Sequence, residues 1–155
     1  DFIVEVAFSC GTEQWVCIVR IAGIALLVVL FCALLVCLFR RRSPAYLTGT
    51  LKVFRTNGVT PVELSTFRLT GQHLQVIQIG SASDCKVRVD AEGVAPRHVT
   101  VRAVRAGLCG RSVFFIMDAH EEVELAGGRR VIRKSISVGP GNRFRMGSVN
   151  IKWEY

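Results

Sequence analysis

The stretch Ile79–Val101, IGSASDCKVRVDAEGVAPRHVTV, holds the residues of this chain best suited to recognition chemistry. Ser81 and Ser83 offer hydroxyls, Asp84 a carboxylate, and Lys86 and Arg97 cations, all in polar stretches that separate short apolar runs. Loops between short strands carry recognition, because the strands themselves are committed to the core. Hydroxyl and forked guanidinium donors suit a phosphate or a peptide carbonyl when several converge on one point. Arg111 is a further cation that could join Lys86 and Arg97 if its loop folds beside theirs.

Catalytic chemistry is harder to build. His73, His98 and His120 stand outside any metal-binding or nucleophile spacing, and Glu121, Glu122 and Glu124 read as solvent-facing strand or loop residues. The chain contains no GxSxG, HExxH or P-loop, and its glycines punctuate strands rather than open helices. Neither an enzyme, a cofactor nor a metal site is expected. Cys10, Cys17, Cys32, Cys37, Cys85 and Cys109 form no CxxC pair and read as small packing residues in a reducing compartment. Cys10 is the exception, since it could bond to a partner upstream of this sequence.

The elements that must position these residues are strands. From Leu47 the pattern predicts strands over Leu47–Phe54, Val62–Leu69, Leu74–Ile79, Cys85–Val89, His98–Val104 and Ser112–Met117. Val123–Leu125, Arg129–Arg133, Ser135–Val138, Arg143–Met146 and Val149–Glu154 follow. Asn57-Gly58 is a strong hairpin signal between the first two, and Gly127-Gly128, Pro140-Gly141-Asn142 and Gly147-Ser148 mark later turns. About eleven short strands at this spacing imply a mainly β protein, an antiparallel β-sandwich.

The central stretch resembles the signature of forkhead-associated domains, which read I-G-R, then S-D-I, then V-S-R-x-H-A. Those domains usually bind phosphothreonine. The resemblance covers roughly Leu47 to Tyr155 and includes the late pattern from Ile136 to Gly147, with Asn142 where the family has Asp. It implies that Gly80 takes the tight turn and His98 braces the loops. It also places Ser81, Ser83, Lys86, Arg97 and Arg111 on candidate peptide-binding loops. The phosphate contacts are altered. Ser81 stands where the family has Arg, and Ala95-Pro96-Arg97-His98 replaces the Ser-Arg-x-His tetrad. Asp118–Gly128 supplies no Asn for the peptide backbone.

Ahead of the sandwich, Ile21–Phe39 is a run of 19 residues without a charge or proline. About 20 such residues, as a helix, cross a bilayer's hydrocarbon core. Arg40, Arg41 and Arg42 come after the run rather than before it, the reverse of a signal peptide. The flanking charges put the N-terminus outside and the C-terminal region in the cytoplasm. The expected organisation is an extracytoplasmic end over 1–15, with Asp1–Cys10 as the last strand of something upstream. A transmembrane helix over 16–39, a basic linker over 40–46 and the sandwich over 47–155 follow. This layout is similar to bacterial membrane proteins with an outer von Willebrand A-type domain.

The function expected is that of a single-span, membrane-anchored protein-interaction module in signalling or scaffold assembly, not dependent on phosphothreonine. The alternatives are a phosphothreonine-peptide receptor and a self-assembling membrane component that packs as a homo-oligomer. A protein partner is expected, with lipid contact through the span and Arg40–Arg42. Beyond residue 42, 16 Lys and Arg face 9 acids, yet no aromatic residues interleave with the Arg129–Lys134 cluster. Nucleic acid, which needs such stacking platforms, is therefore not expected.

Overall fold

The structure, a computed structural model, describes residues 2–57, 60–107 and 110–155, with side chains for all of these except 2–13, 17, 56 and 57. The chain divides into two compact units, Asp1–Ser43 and Pro44–Tyr155.

The first unit is one helix, α1, Phe2–Arg42. The strand expected over Asp1–Cys10 is therefore a helix from Phe2 onward. Glu5, Ser9 and Glu13 recur every fourth residue, a helical period, and no proline interrupts the run. Within α1, Gln14–Arg42 is long and apolar enough to cross a membrane by length and composition, and none of its most apolar window is buried against protein. A helix apolar on every side needs a non-aqueous surrounding. Arg40, Arg41 and Arg42 occupy its last turn, where cations complement the helix dipole. Cys32 and Cys85 are free thiols, whereas Cys37 is disulfide-bonded, so the expectation of unpaired packing cysteines fails there. The side chains of Cys10 and Cys17, and Cys109 as a whole, lie outside the described residues.

Among its described residues the second unit has eleven strands. They are β1 (Thr50–Asn57), β2 (Thr60–Arg68), β3 (Val76–Gly80), β4 (Val87–Arg88), β5 (Val99–Ala106) and β6 (Ser112–Ala119), then β7 (Val123–Leu125), β8 (Arg130–Val131), β9 (Lys134–Val138), β10 (Arg143–Met146) and β11 (Val149–Glu154). They form a six-stranded sheet, in the order β2-β1-β11-β10-β7-β8, and a five-stranded sheet, β4-β3-β5-β6-β9. The Asn57 signal marks a true hairpin, with Asn57 paired to Thr60; Gly58 lies outside the described residues. One pair departs from the antiparallel expectation. β4 runs parallel to β3 for two residues, because the chain loops after Gly80 and Val89 N–H returns to the Gly80 carbonyl at 2.8 Å.

Alternation along each strand sends one face inward. In β11, Val149, Ile151 and Trp153 are buried while Asn150, Lys152 and Glu154 are only partly so. The Trp153 indole N–H donates to the Thr48 carbonyl at 2.8 Å, and its ring meets Phe115 with centroids 5.0 Å apart. Gly49 (φ 98°) lets the chain pass over that indole, since a Cβ there would lie 2.6 Å from Trp153 Nε1. Ala45 and Leu47 are buried too, and Leu47 N–H bonds the Leu74 carbonyl at 2.7 Å. The chain thus enters the sandwich at one end, the leading end, where Thr50 pairs with Glu154 and Arg68.

On the outer face of the six-stranded sheet, Glu154 sits between Lys152 and Lys52, the latter at 2.9 Å. Hydrogen bonds from Lys152 and Lys52 hold its carboxyl down at a pKa of about 2. A depressed folded pKa means that this stabilising contribution is whole above the unfolded value and fades as pH falls through about 2. A carbon-detected NMR titration should find Glu154 ionised well below the ordinary Glu range, with Lys152→Ala moving its midpoint upward. In the core, Trp153→Ala should lower the unfolding free energy by about 3–5 kcal/mol, read from the urea midpoint at unchanged slope.

Candidate functional site

Two loops meet beyond the ends of β3 and β5. The β3–β4 loop runs over 81–86 and the β4–β5 loop over 89–98. Ser81 N–H donates to the Ala95 carbonyl at 3.0 Å, and Ala82 N–H to the Pro96 carbonyl at 3.1 Å. The buried Cys85 thiol also donates to Pro96 O, at 3.1 Å, and burial pushes its pKa up. Contact this close is possible because residue 80 is glycine: a Cβ there would lie 2.1 Å from the Pro96 oxygen.

His98 ties these loops to a third. Its ring is buried, Nδ1 accepts the Ala95 N–H at 3.1 Å, and Nε2 lies 2.9 Å from the Glu122 carbonyl oxygen. An accepting Nδ1 places the ring proton on Nε2, which donates to Glu122. The His98 backbone adds N–H to Ile79 O at 3.0 Å, while its carbonyl accepts from His120 N–H at 3.0 Å.

The expected contact residues divide. Arg97 bonds Asp84 across the two loops, with Nη2 2.6 Å from Oδ2. The hydrogen bond and charge of Arg97 hold the Asp84 carboxyl below its usual range. Ser81 is half-buried, and Ser83 and Lys86 are exposed on the same loop. Arg111 is not with them. It precedes Ser112, which pairs with Ala106 at the far end of β5, whereas the loops flank Val99 at the near end. Seven residues of extended strand separate those ends by about 24 Å. Sequence nearness hid this, because the hairpin register, not chain distance, decides which ends meet.

Beside the loops opens a cleft of about 600 Å³, reached by Ala95 and His98 from one side and by Glu121, Glu122 and Glu124 from the other. Arg130 and Arg145 complete its charged lining. Arg130 approaches Glu122 at 3.2 Å and Arg145 approaches Glu124 at 4.0 Å. Glu121 has no ion-pair partner among the described residues. These carboxylates, expected as solvent-facing residues, line a cleft instead; the signal for it is their place in Asp118–Gly128, where the resemblance implies a peptide contact. Among the described residues, no group of three or more His, Cys, Asp or Glu could hold a metal ion.

No family model matches the chain, and no curated protein does. Solved structures do. Full-length yeast Pml1p is 11% identical, with 68% of this chain and 79% of that one covered and a TM-score of 0.54. The forkhead-associated domain of yeast Dun1, solved with a doubly phosphorylated peptide from Rad53, is 14% identical, with 74% and 79% covered and a TM-score of 0.50. The fold is thus the mainly β forkhead-associated sandwich that the signature implied. The comparisons do not bear on an outer von Willebrand A-type domain.

Two measurements check the loop geometry. The Asp84 carboxyl should titrate below about 3.9, its unperturbed value, and return toward it in Arg97→Ala. The pair therefore supports the folded state above that value and ceases to as pH falls through the depressed one. Gly80→Ala, which drives a methyl into the Pro96 carbonyl, should destabilise the unit by about 3 kcal/mol or more. An unchanged urea midpoint would contradict the close approach.

Proposed function

We propose that this chain is a membrane-anchored protein-interaction module whose cleft takes an unmodified segment of a partner protein rather than a phosphothreonine. The observation that carries the reading is the Arg97–Asp84 pair beside Ala95. In the family the corresponding Ser and an Arg after the first Gly address the phosphate; here Ala95 has no hydroxyl, Ser81 is short, and Arg97 is already engaged by a carboxylate. Each such contact is worth about 1–3 kcal/mol to a charged ligand, so losing them removes most of the affinity for a dianion. Glu121 adds a like charge to the cleft that phosphate would approach.

The anchor is the apolar part of α1, with the expected span over 16–39, residues 1–15 outside and Arg40–Arg42 on the cytoplasmic side. Gly80 and His98 act as braces in this reading, while Ser83 and Lys86 sit on the rim. The module does no chemistry of its own; its role is to gather a protein partner at the membrane for signalling or scaffold assembly.

Matched peptide arrays, each threonine peptide beside its phosphorylated twin, test the ligand. Phosphorylation should leave binding to the full chain in detergent unchanged or weaker. Phosphate-dependent binding that is lost in Arg97→Ala would establish the receptor alternative instead. The double substitution Ser81→Arg with Ala95→Ser should create measurable phosphothreonine preference where the native chain has none. A reporter fused after Tyr155 checks the topology and should be active only in the cytoplasm.

A further inference from the structure

The charge of the sandwich is divided between its two ends. Asp84, Asp90, Glu92, Glu121 and Glu122 lie on the β3–β4, β4–β5 and β6–β7 segments at the loop end, Glu124 follows in β7, and Glu63 and Asp118 stand within the half of the sheets nearest to it. The other half is the leading end, where Thr50, Arg68, Ala106, Ser112 and Glu154 finish their strands. Its one carboxylate is Glu154, already held by two lysines. Its cations include Arg68, Arg105 and Arg111 as well as Lys52 and Lys152, whereas Arg102 lies nearer Val99 and pairs with Asp118 at 3.2 Å.

Exposed apolar side chains gather at the same end. Among the described residues from Pro44 onward, the exposed large ones are Tyr46, Val76, Val113, Phe114 and Tyr155, together with Val62, Leu64 and Ile132 elsewhere. Tyr46, Val113, Phe114 and Tyr155 belong to the leading half: Phe114, 47% exposed, pairs with Val104 near the start of β6, and Tyr155 follows the residue paired with Thr50, while Val76 pairs with Arg102 at mid-strand. Tyr46 stacks edge-on against His73 on the β2–β3 connection, with ring centroids 5.0 Å apart. Tyrosine and exposed aliphatics set where cations outnumber carboxylates are the composition that settles at an anionic membrane surface, the rings at headgroup depth and the cations on phosphates.

We infer that the leading end of the sandwich, centred on Phe114, Tyr46 and Arg111, docks on the anionic headgroups of the bilayer that α1 crosses. The inference rests on the anchored reading above. In sequence, Ser43 alone separates the last helical residue, Arg42, from the unit that begins at Pro44, and Ala45 and Leu47 are already buried in that unit. The residues through which the chain enters the sandwich thus belong to its leading end. A docked leading end leaves the acidic cleft, at the opposite end of β5, free for a partner.

Hydrogen exchange on the full chain in nanodiscs, one chain per disc, tests it. In phosphatidylcholine discs with about 30% phosphatidylglycerol, amides of 71–74 and 112–114 should exchange about fivefold more slowly than in pure phosphatidylcholine, the effect of roughly one cation near a charged leaflet. The loop-end amides of 82–86 should not change. Arg111→Glu with Phe114→Ser should abolish the difference while β11 stays protected, which shows that the sandwich is still folded. Equal exchange in the two lipids, or protection at the loop end instead, would overturn the proposal. A chain that fails to incorporate into discs at all would instead overturn the anchored reading on which it rests.

Discussion

The recognition end of the sandwich depends on one imidazole. His98 is buried between three connections, accepting from Ala95 through Nδ1 and donating to Glu122 through Nε2. Both bonds are to backbone groups, so the ring stands in for secondary structure where the strands have stopped. A buried, fully satisfied polar group of this kind fixes geometry, because any other placement leaves its partners unpaired. The β4–β5 and β6–β7 segments therefore face each other across a cleft of set width. Gly80 completes the arrangement from the third side by letting the Pro96 carbonyl approach the β3 backbone.

The residues that build this frame are separable from those that would meet a ligand. Ser81 and Ala82 contribute backbone N–H groups to the loop contacts, which any side chain could supply. Arg97 and Asp84 pair on the surface, where an exposed ion pair contributes little to stability. Side chains at 81, 95 and 97 can thus change without loosening the loops, whereas Gly80 and His98 cannot. That asymmetry explains how a chain can keep the forkhead-associated fold while carrying Ala95 and an occupied Arg97.

Much of the sandwich was legible in the sequence because turns and alternation are local. Asn57-Gly58 fixed the first hairpin, and the alternation Val149, Ile151, Trp153 gave β11 its buried face before any register was known. Two things were not legible, each for a non-local reason, and a third was local but pointed two ways. Arg111 joins Lys86 and Arg97 only if its loop folds beside theirs, and the β5–β6 register carries it to the other end. Glu121, Glu122 and Glu124 looked like solvated surface until the fold brought Arg130 and Arg145 against them. Asp1–Cys10 was read as alternating, although its polar residues recur at intervals of four.

Separation of charge along β5 and β6 gives the module a direction. Carboxylates crowd the loop end, cations and exposed rings the leading end, and the two are set apart by a strand of eight residues. Net charge alone would have suggested a uniformly basic domain suited to any polyanion. The distribution says otherwise, since Glu154 is the one side-chain carboxylate of the leading half among the described residues, and surface charges more than about 10 Å apart are largely screened from each other. In the reading proposed above each end has its own partner class, a basic or neutral protein segment at the cleft and an anionic surface at the end from which the chain arrives.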